Sequence, residues 1–386
     1  MSSTAIQPGA TLGVMGGGQL GRMFVHAAQR MGYFTAVLDP DPDSPAGRVS
    51  HRHVHADYLD EKGLAELAGF CDAITTEFEN VPAPALAKLA MLRSVSPAAE
   101  SVAIAQDRAL EKAHFTHCGV ACAPFAPIES QQQLDAVTSE LLPGILKTAR
   151  LGYDGKGQQR VQTRQELAAA WNAAKQVPCV LEKLLPLAAE CSVIVARGAD
   201  GRMVHLPPQL NLHRDGILAV TEVWDGNLPA AQAQRAIAAS ESIALGLGYV
   251  GVLCVEFFVL ADGSLVVNEM APRPHNSGHW SMDGCDVSQF ELQVRTLAGL
   301  PLTAPRQHSA SVMLNLLGDV WFENGAPRQP PWEAVLELPG AHLHLYGKLD
   351  ARPGRKMGHL NFTADSPLQV RETALAAAAM LGIAPF

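Results

Sequence analysis

Apolar and polar residues alternate in distinct blocks near the start of the chain. The apolar run TLGVM (11–15) precedes the glycine-rich GGGQLG. RMFVHAAQRMG then repeats apolar residues at helical spacing, before a second apolar run, FTAVLD, that ends at Asp39. This order predicts a strand, a tight turn, a helix and a second strand, which together form a βαβ unit. Because CDAITTEFEN and PALAKLA continue the alternation, we predict one α/β domain with a mostly parallel sheet over residues 1 to about 104.

The pattern changes in the middle of the chain. Residues 101–118 read as one long helix, and ECSVIVAR, MVHLPP and ILAVTEVW read as antiparallel strands. VGVLCVEFFVL and SLVVNEM are apolar strands joined through Asp-Gly, a strong hairpin signal. From about residue 305, short strands precede a final alanine-rich helix. The pattern therefore predicts a mixed α/β and α+β chain of more than one domain.

The hairpin carries two acids in otherwise apolar strands. A two-residue loop at Asp262–Gly263 would place Ala261 opposite Ser264 and Glu256 directly opposite Glu269. Facing residues of this kind have Cβ atoms about 4.5–5.5 Å apart. Asn268 would point to the other face under strict alternation, and it reaches the same site only if the strand bends near its end.

Two half-buried carboxylates at that distance repel each other. They could share a proton, be balanced by an arginine such as Arg273, or bind a cation between them. We favour a divalent metal. Because the ligands are oxygens, Mg²⁺ shared with substrate phosphates is the metal expected.

The glycines of the first turn form a Gly16-x-Gly18-x-x-Gly21 pattern, and Asp39 ends the next strand. Such a turn lets a phosphate approach the backbone at a helix N-terminus. NAD, a sugar phosphate and a purely structural turn all fit this motif. NAD would leave the lysines and paired acids elsewhere in the chain unexplained.

Further residues with phosphate-binding chemistry follow. Lys147 precedes the glycine-rich 152–157 segment, which offers backbone N–H groups but lacks the Walker A spacing. The segment 182–185 could link nucleotide-binding lobes. The polar stretch 273–279 directly follows Glu269, and the loop 348–356 holds the densest local positive charge.

Composition excludes several classes of protein. The 386 residues carry a formal net charge of −9 and no basic run, which argues against a nucleic-acid partner. No stretch approaches 18 apolar residues and the N-terminus lacks a signal-peptide pattern, so we expect a cytoplasmic protein. The seven cysteines are scattered and read as reduced core residues. Zinc at Cys118 and Cys122, beside His114 and His117, and a metal cluster at His51, His53 and His55 are the less favoured interpretations of those residues.

The order of these motifs resembles one family along nearly the whole chain. GGGQLGRM, FEN (78–80), DR (107–108), Lys147 with GYDGKGQ, EK (182–183), NLHRDGIL, NEMAPRPHNSGHW, SQFELQVR and PGRKMGHLN occur in its order. The sequence resembles N5-carboxyaminoimidazole ribonucleotide synthetase, an ATP-grasp carboxylase family of purine biosynthesis. NEMAPRPHNSGHW and PGRKMGHLN are the runs most specific to that family.

The resemblance implies an ATP-grasp fold in three parts. A Rossmann-like domain would span 1–104, an ATP-grasp domain 105–305 with a lid at about 121–185, and a small C-terminal domain 306–386. It also implies an ATP-dependent ligase that forms carboxyphosphate from bicarbonate. The amine of 5-aminoimidazole ribonucleotide would attack carboxyphosphate, or CO₂ released from it. ATP with Mg²⁺, two ions when ATP is bound, and a homodimer are implied as well.

The resemblance assigns roles residue by residue. ATP would be bound by Arg108, Lys147, Gly152, Tyr153, Asp154, Gly155, Lys156, Gly157, Gln158, Glu182, Lys183, Leu184, Leu185, Glu190, His213, Asn268 and Glu269. Glu256 and Glu269 would hold the metal, and Arg273, His275, Asn276 and Lys147 would be catalytic, the first three near bicarbonate. The ribonucleotide would contact Gln19, Leu20, Glu77, Asp154, Lys348 and Arg355.

Three alternative functions stay open at this point. A formate-dependent glycinamide ribonucleotide transformylase would share the ATP site, although PGRKMGH argues against it. An NAD-dependent oxidoreductase would rest on the first βαβ unit alone. A catalytically inactive nucleotide-binding module would be expected to lack an acid or Lys147, and this chain keeps them.

Overall fold

The computed structural model describes residues 5–152 and 157–386. Its first sheet is parallel throughout, with the strand order β3-β2-β1-β4-β5. The strands are β1 (Thr11–Met15), β2 (Phe34–Asp39), β3 (Arg52–His55), β4 (Ala73–Thr76) and β5 (Ser94–Val95). The helices are α1 (Gln19–Arg30), α2 (Glu61–Phe70), α3 (Ala83–Ala90) and α4 (Ala99–Ala105). The βαβ unit and the parallel sheet predicted from the pattern are therefore present.

The turn between β1 and α1 depends on its glycines. Gly16 has a φ of +102°, a conformation that side chains rarely adopt. A Cβ at Gly21 would lie 2.7 Å from the carbonyl oxygen of Gly16. The turn is therefore tight enough to bring the start of α1 over the end of the sheet.

The predicted helix 101–118 is wrong as a single element. The structure has α4 and then α5 (Arg108–His117), and Asp107 separates them. The Asp107 carboxylate accepts hydrogen bonds from the N–H groups of Ala109 and Leu110, so it caps a new helix instead of continuing the old one. This break sets the direction of Arg108, the first residue of α5.

A second, smaller sheet follows, with the order β6-β9-β7-β8. It comprises β6 (Phe125–Ile128), β7 (Gly144–Thr148), β8 (Gln158–Val161) and β9 (Cys179–Lys183), with helices α6 (Gln131–Ala136) and α7 (Arg164–Ala173). Its apolar face packs on these helices around Trp171 and Leu167.

The largest sheet is antiparallel, in the order β15-β14-β10-β12-β13-β16-β20-β19, with β11 paired to β10. Its first part contains β10 (Leu187–Arg197), β11 (Met203–His205), β12 (Gln209–Arg214), β13 (Ile217–Val223), α8 (Ala230–Gly246), β14 (Gly251–Leu260), β15 (Leu265–Ala271), α9 (Ser281–Gly284) and α10 (Gln289–Ala298). Its second part contains β16 (Ala310–Leu317), β17 (Phe322–Glu323), β18 (Ala326–Pro327), α11 (Trp332–Leu336), β19 (Ala341–Leu345), β20 (Lys356–Ala364) and α12 (Pro367–Leu381); β17 and β18 form a separate two-stranded ribbon.

Two features join these parts around one region. Strand β16 pairs with β13, so the sheet runs without interruption across the boundary that we predicted near residue 305. Helix α10 contacts α1 and β4 of the first domain as well as β10 and β14 of the large sheet. The first domain and the large sheet are thereby joined through α10.

Other expectations for the chain can be tested on the described residues. None of the helices between residues 5 and 386, apart from the four undescribed positions, is long and apolar enough to cross a membrane. The Cys118 Sγ lies 3.3 Å from His114 Nε2, but no group of three metal-ligating side chains forms there or at His51, His53 and His55 among the described residues. The structure therefore offers no support for metal at either place.

We predict that Phe362→Ala lowers the free energy of unfolding by about 3–5 kcal/mol. Phe362 lies on β20 and is fully buried in the core that β20 shares with α12, so truncation would leave a cavity. Phe34→Ala is the matched control, because about half of that side chain is already exposed. Urea unfolding followed by circular dichroism would compare the two variants, and equal shifts in the midpoint would contradict this account of the core.

Candidate active site

The hairpin β14–β15 places Glu256 directly opposite Glu269, as predicted. The predicted loop, however, is wrong. Leu260 donates to Ser264 and Val259 pairs with Leu265, so the loop has three residues and Ala261 does not face Ser264. Gly263, with a φ of +80°, closes the loop in the left-handed region.

A β-bulge at Asn268 restores the register of the two glutamates. Phe257 pairs with Val267 and Glu256 pairs with Glu269, which leaves Asn268 as the extra residue. A bulge turns its extra side chain away from strict alternation. Asn268 lines the same cavity as the two glutamates, so the bend on which we made its role depend is present.

Each glutamate has its own basic neighbour. Glu256 Oε1 lies 3.1 Å from His275 Nε2, and Glu256 Oε2 lies 3.9 Å from His213 Nε2. Burial raises the pKa of Glu256, but the charges of His275 and His213 outweigh it and hold that pKa well below its usual range. Glu269 pairs with Arg108 at 3.1 Å. Arg273, which we weighed as the counter-ion of the pair, binds Glu79 instead.

The donor set at this position suits a hard divalent cation. Two carboxylates face each other, and the Oδ1 atom of Asn268 is buried without a hydrogen-bond partner beside them. Cys254 also lies within 4.8 Å of Glu256 and His275. Burial raises the pKa of its thiol far above the ordinary value, so the sulfur stays protonated and is a poor ligand. The oxygen atoms are the fitting ligands.

Buried positive charge faces the acids from the smaller sheet and from α5. Lys147 Nζ lies 3.1 Å from Glu182 Oε2, and Lys112 Nζ lies 3.3 Å from Glu182 Oε1. Burial lowers the pKa of Lys147, although Glu182 opposes this effect. One carboxylate thus balances two ammonium groups, which leaves net positive charge available to an anionic ligand.

Sequence reasoning did not select Lys112 or Glu111 as site residues. Both follow Arg108 by three or four positions on α5, so the helical spacing was the available signal. Glu111 accepts a hydrogen bond from the Met270 N–H at 2.7 Å. Burial and the nearby Glu269 raise the pKa of Glu111 to about 8, so it is neutral at pH 7 and fixes the end of β15 without adding charge.

The predicted glycine-rich segment is only partly described. Tyr153, Asp154, Gly155 and Lys156 lie outside the described residues. Gly152 accepts a hydrogen bond from Arg108, and Gln158 pairs with Lys147 across β7–β8. The two ends of the segment are therefore anchored next to the buried cations.

A second carboxylate–histidine pair lies on the large sheet. His213 Nδ1 lies 2.6 Å from Glu190 Oε2, on neighbouring strands β12 and β10. Burial lowers the pKa of His213, but Glu190 and Glu256 reverse the effect and raise it. Lys183, Leu184 and Leu185 line the same cavity.

The segment after β15 brings further polar groups to the glutamates. Besides its contact with Glu256, His275 accepts a hydrogen bond at Nδ1 from the Ser277 N–H. Both polar side-chain atoms of Asn276 are buried without a partner, although Asn276 lines the cavity. A buried amide with no partner is costly, so Asn276 is a strong candidate to bind a ligand.

The glycine turn of the first domain closes one side of the cavity. The Glu77 carboxylate accepts from Gly18 N–H at 2.8 Å and from Gly21 N–H at 3.0 Å. The N–H groups of Gln19 and Leu20 meet no acceptor within the described chain, and both residues line the cavity. The start of α1 thus retains two donors that a ligand can use.

Asp39 does not fit the dinucleotide interpretation of this turn. Its Oδ2 atom accepts from the Gly17 N–H at 2.6 Å and from the Tyr58 hydroxyl at 2.7 Å. The carboxylate that would bind the ribose of NAD is buried and holds the turn itself. The structure therefore favours the phosphate or structural reading over NAD.

The basic loop before β20 contributes differently from our prediction. Lys356 lines the cavity, whereas Lys348 and Arg355 do not. Lys348 donates to the Lys356 carbonyl at 2.7 Å, and Arg355 donates to the Asp350 carbonyl at 2.7 Å. Burial, with the charges of Arg355 and Lys356, lowers the pKa of Lys348 to about 8, and Glu77 opposes the shift. Lys348 thus lies near Glu77, beside the cavity.

One cavity of about 810 Å³ connects these groups, a size suited to small ligands. The predicted residues that line it are Gln19, Leu20, Glu77, Arg108, Lys147, Gly152, Gln158, Glu182, Lys183, Leu184, Leu185, Glu190, His213, Glu256, Asn268, Glu269, Arg273, His275 and Asn276. Gly157, Lys348 and Arg355 are the described members of the predicted set outside that lining.

Family models match three consecutive parts of the chain. A ribonucleotide synthetase preATP-grasp domain matches residues 9–106, and an ATP-grasp domain matches residues 113–290. A phosphoribosylaminoimidazole carboxylase C-terminal domain matches residues 311–373. These matches and the sheets described above confirm the predicted fold class.

Relatives align over nearly their whole length. N5-carboxyaminoimidazole ribonucleotide synthase from Brucella melitensis is 45% identical, over 93% of this chain and 98% of its own. The crystal structure of the Staphylococcus aureus synthetase complexed with ADP is 35% identical with a TM-score of 0.88, over 97% of this chain and 98% of its own. The Aspergillus clavatus synthase in complex with ADP and 5-aminoimidazole ribonucleotide is 30% identical with a TM-score of 0.87, over the same shares. The chain belongs to the N5-carboxyaminoimidazole ribonucleotide synthase family.

Proposed function

We propose that this protein carboxylates 5-aminoimidazole ribonucleotide with bicarbonate and ATP, yielding N5-carboxyaminoimidazole ribonucleotide, ADP and phosphate in purine biosynthesis. One observation carries the proposal. A single cavity joins the facing glutamates and the buried lysine cluster to the 273–276 segment and the open start of α1. Such a site can hold a nucleoside triphosphate, a small anion and a phosphorylated acceptor side by side. The relatives solved with ADP and with the ribonucleotide support this use of the cavity.

The ATP subsite lies between the smaller and the larger sheet. Lys183, Leu184 and Leu185 would contact adenine, and Glu190 with His213 would bind the ribose hydroxyls. Lys147 and Arg108 lie where the phosphates would follow, and Glu182 moderates their charge. Gly152, Gly157 and Gln158 would place the glycine-rich segment over the phosphates, including its undescribed residues Tyr153 to Lys156.

Glu256 and Glu269 would hold Mg²⁺, with Asn268 beside them, because they supply facing oxygen ligands. When bound, Mg²⁺ neutralises charge on the phosphate oxygens during transfer. Arg108 and His275, which balance the two glutamates in this structure, would then be released toward the anionic reactants. Positioning and charge neutralisation are the main tasks in phosphoryl transfer.

The carboxylation subsite would be formed by Arg273, His275 and Asn276. A bicarbonate oxygen attacks the γ-phosphorus of ATP, ADP leaves, and carboxyphosphate forms. The amine nitrogen then attacks the carbonyl carbon, phosphate leaves, and the nitrogen loses a proton. The unpartnered amide of Asn276 and the His275 Nε2–H would orient the bicarbonate oxygens for both steps.

The ribonucleotide would bind at the first domain. The free N–H groups of Gln19 and Leu20 and the positive charge of Lys348 and Arg355 would take its phosphate. Glu77, together with Asp154 of the undescribed segment, would bind the ribose or base. Action in the cytoplasm as a homodimer, with no nucleic acid or membrane partner, belongs to the same proposal and rests on the family resemblance and the acidic net charge.

We predict that Glu269→Gln lowers ATP turnover by at least about 100-fold, because the metal loses a charged ligand next to the transferred phosphoryl group. Bicarbonate-dependent release of phosphate would be measured over a range of Mg²⁺ concentrations. Glu222→Gln is the matched control, since Glu222 pairs with Arg371 away from the cavity. Normal turnover in Glu269→Gln would contradict the metal site.

Arg355→Ala is expected to raise the KM for the ribonucleotide roughly 10- to 100-fold, the loss expected for one hydrogen bond to a charged group. The KM for ATP should change little. Arg352→Ala tests the same loop, because the Arg352 side chain is exposed and its ion pair among the described residues is with the exposed Asp350 at 3.6 Å. Equal effects of the two substitutions would remove Arg355 from the substrate site.

The KM for the ribonucleotide should depend on pH through Lys348. With a pKa of about 8, Lys348 loses its proton as the pH rises above that value. Binding of the phosphate would then weaken by roughly tenfold per pH unit above pH 8. Lys348→Arg should abolish this rise, because arginine stays protonated. Identical pH profiles for the variant and the unmodified protein would exclude Lys348 as the source.

A further inference from the structure

Gln289, the first residue of α10, forms hydrogen bonds with the segment that follows the proposed metal-binding hairpin. Its side-chain oxygen accepts a hydrogen bond from the His275 N–H at 2.9 Å. Its side-chain nitrogen donates to the His275 carbonyl at 2.8 Å and lies 2.9 Å from His279 Nδ1. Because a backbone N–H can only donate and a carbonyl can only accept, the orientation of this amide is fixed.

The fixed amide determines the tautomer of His279. The amide nitrogen has only protons to offer, so His279 Nδ1 must present its lone pair. A neutral ring with that lone pair carries its proton on Nε2. Burial lowers the pKa of His279 well below the ordinary value, which agrees with a neutral ring. His279 is therefore an Nε2–H donor.

The Nε2–H group of His279 is a candidate donor to a ligand. His279 lines the cavity, and the hydrogen bond that its ring makes within the described part of the chain is at Nδ1. Only 1% of the surface of His279 is exposed. Because His279 lines the cavity, a ligand there can accept a hydrogen bond from this N–H.

The surroundings hold this ring in one place. Its centroid lies 4.7 Å from that of His359 and 5.6 Å from that of Phe290. Asn361 donates to the His279 carbonyl at 3.0 Å. A Cβ at position 278 would lie 2.5 Å from the Gln289 side-chain oxygen, so glycine at 278 makes room for the amide. These contacts pack the ring on two faces and anchor its backbone.

The position of His279 indicates what it would bind. It lines the cavity together with Asn276 and Lys356, beside the segment that we assign to bicarbonate. Its ring also neighbours Tyr346, which packs with Leu20 at the start of α1, where we place the phosphate of the ribonucleotide. A neutral N–H donor between these two places would meet an anionic oxygen.

We propose that His279 is a further substrate-binding residue, which donates its Nε2–H to an anionic oxygen of bicarbonate or of the ribonucleotide, and that Gln289 is the positioning residue that fixes this donor. The inference rests on the proposed function for the identity of the ligand. The tautomer itself rests on geometry alone.

The first experiment reads the tautomer without any assay of activity. Protein labelled with ¹⁵N-histidine would be studied by NMR at pH 7, with His279 assigned from the spectrum of His279→Phe. We expect the neutral Nε2–H tautomer in the unmodified protein. In Gln289→Glu, a carboxylate oxygen takes the place of the amide nitrogen and can only accept a hydrogen bond. We therefore expect the proton of the His279 ring to move from Nε2 to Nδ1. An Nδ1–H or charged His279 in the unmodified protein would overturn the proposal.

The second experiment identifies the ligand. His279→Phe keeps an aromatic ring on His359 and removes the donor. It should raise the KM for bicarbonate or for the ribonucleotide about 10- to 100-fold, and leave the KM for ATP within about twofold. The reactant whose KM rises is the one that His279 binds. His344→Phe is the matched control, because His344 stacks on the same His359 but does not line the cavity.

Unchanged KM values for both reactants, or equal increases in His344→Phe, would contradict the inference. Absence of bicarbonate-dependent turnover in the unmodified protein would instead contradict the proposed function, and the NMR result would be unaffected. Gln289→Glu should raise the same KM as His279→Phe, because it moves the ring proton away from Nε2, and it also removes the hydrogen bond to the His275 carbonyl.

Discussion

The pairing of Glu256 with Glu269 across one hairpin is the contact around which the cavity is arranged. Two carboxylates placed this close in a poorly solvated site repel strongly unless positive charge lies nearby. The basic partners come from two parts of the chain, Arg108 on α5 and His275 in the segment just after β15. These two contacts connect α5 and the segment after β15 to the hairpin.

Charge balance between buried groups also holds together the side of the cavity formed by the smaller sheet. Glu182 on β9 is shared by Lys147 of β7 and Lys112 of α5, and all three side chains are buried. Removing one partner from such a cluster leaves an uncompensated buried charge, which is far more destabilising than an exposed one. The smaller sheet is therefore tied to α5 by charge, and the excess of one positive charge faces the cavity. An acidic protein can in this way bind polyanions, because only the local balance matters.

Some of this site could be predicted from residues and some could not. The facing of the glutamates was predicted with an incorrect loop, and it holds only because the bulge at Asn268 offsets the longer turn. A period-two pattern contains no signal for such a bulge. The break before Arg108 was missed because a capping aspartate inside an apolar pattern looks like an ordinary helical residue. Gln289 was missed as a site residue for another reason: its partners are backbone groups of the 275–279 segment, and sequence spacing does not reveal them.

Some polar side chains at the cavity are buried without hydrogen-bond partners, which lowers the stability of the fold. Asn268 Oδ1 and both polar atoms of the Asn276 amide are buried without hydrogen-bond partners among the described residues, and both side chains line the cavity. Each such group costs about 1–3 kcal/mol relative to a satisfied one. The neighbouring amide of Gln289 makes three hydrogen bonds, so the local structure is well able to satisfy buried amides. Asn268 and Asn276 line the cavity with the glutamate pair, whereas the hydrogen-bonded Gln289 amide holds the His275 backbone. This division is expected if the unpartnered side chains bind the reactants and the hydrogen-bonded Gln289 amide keeps the binding segment in position.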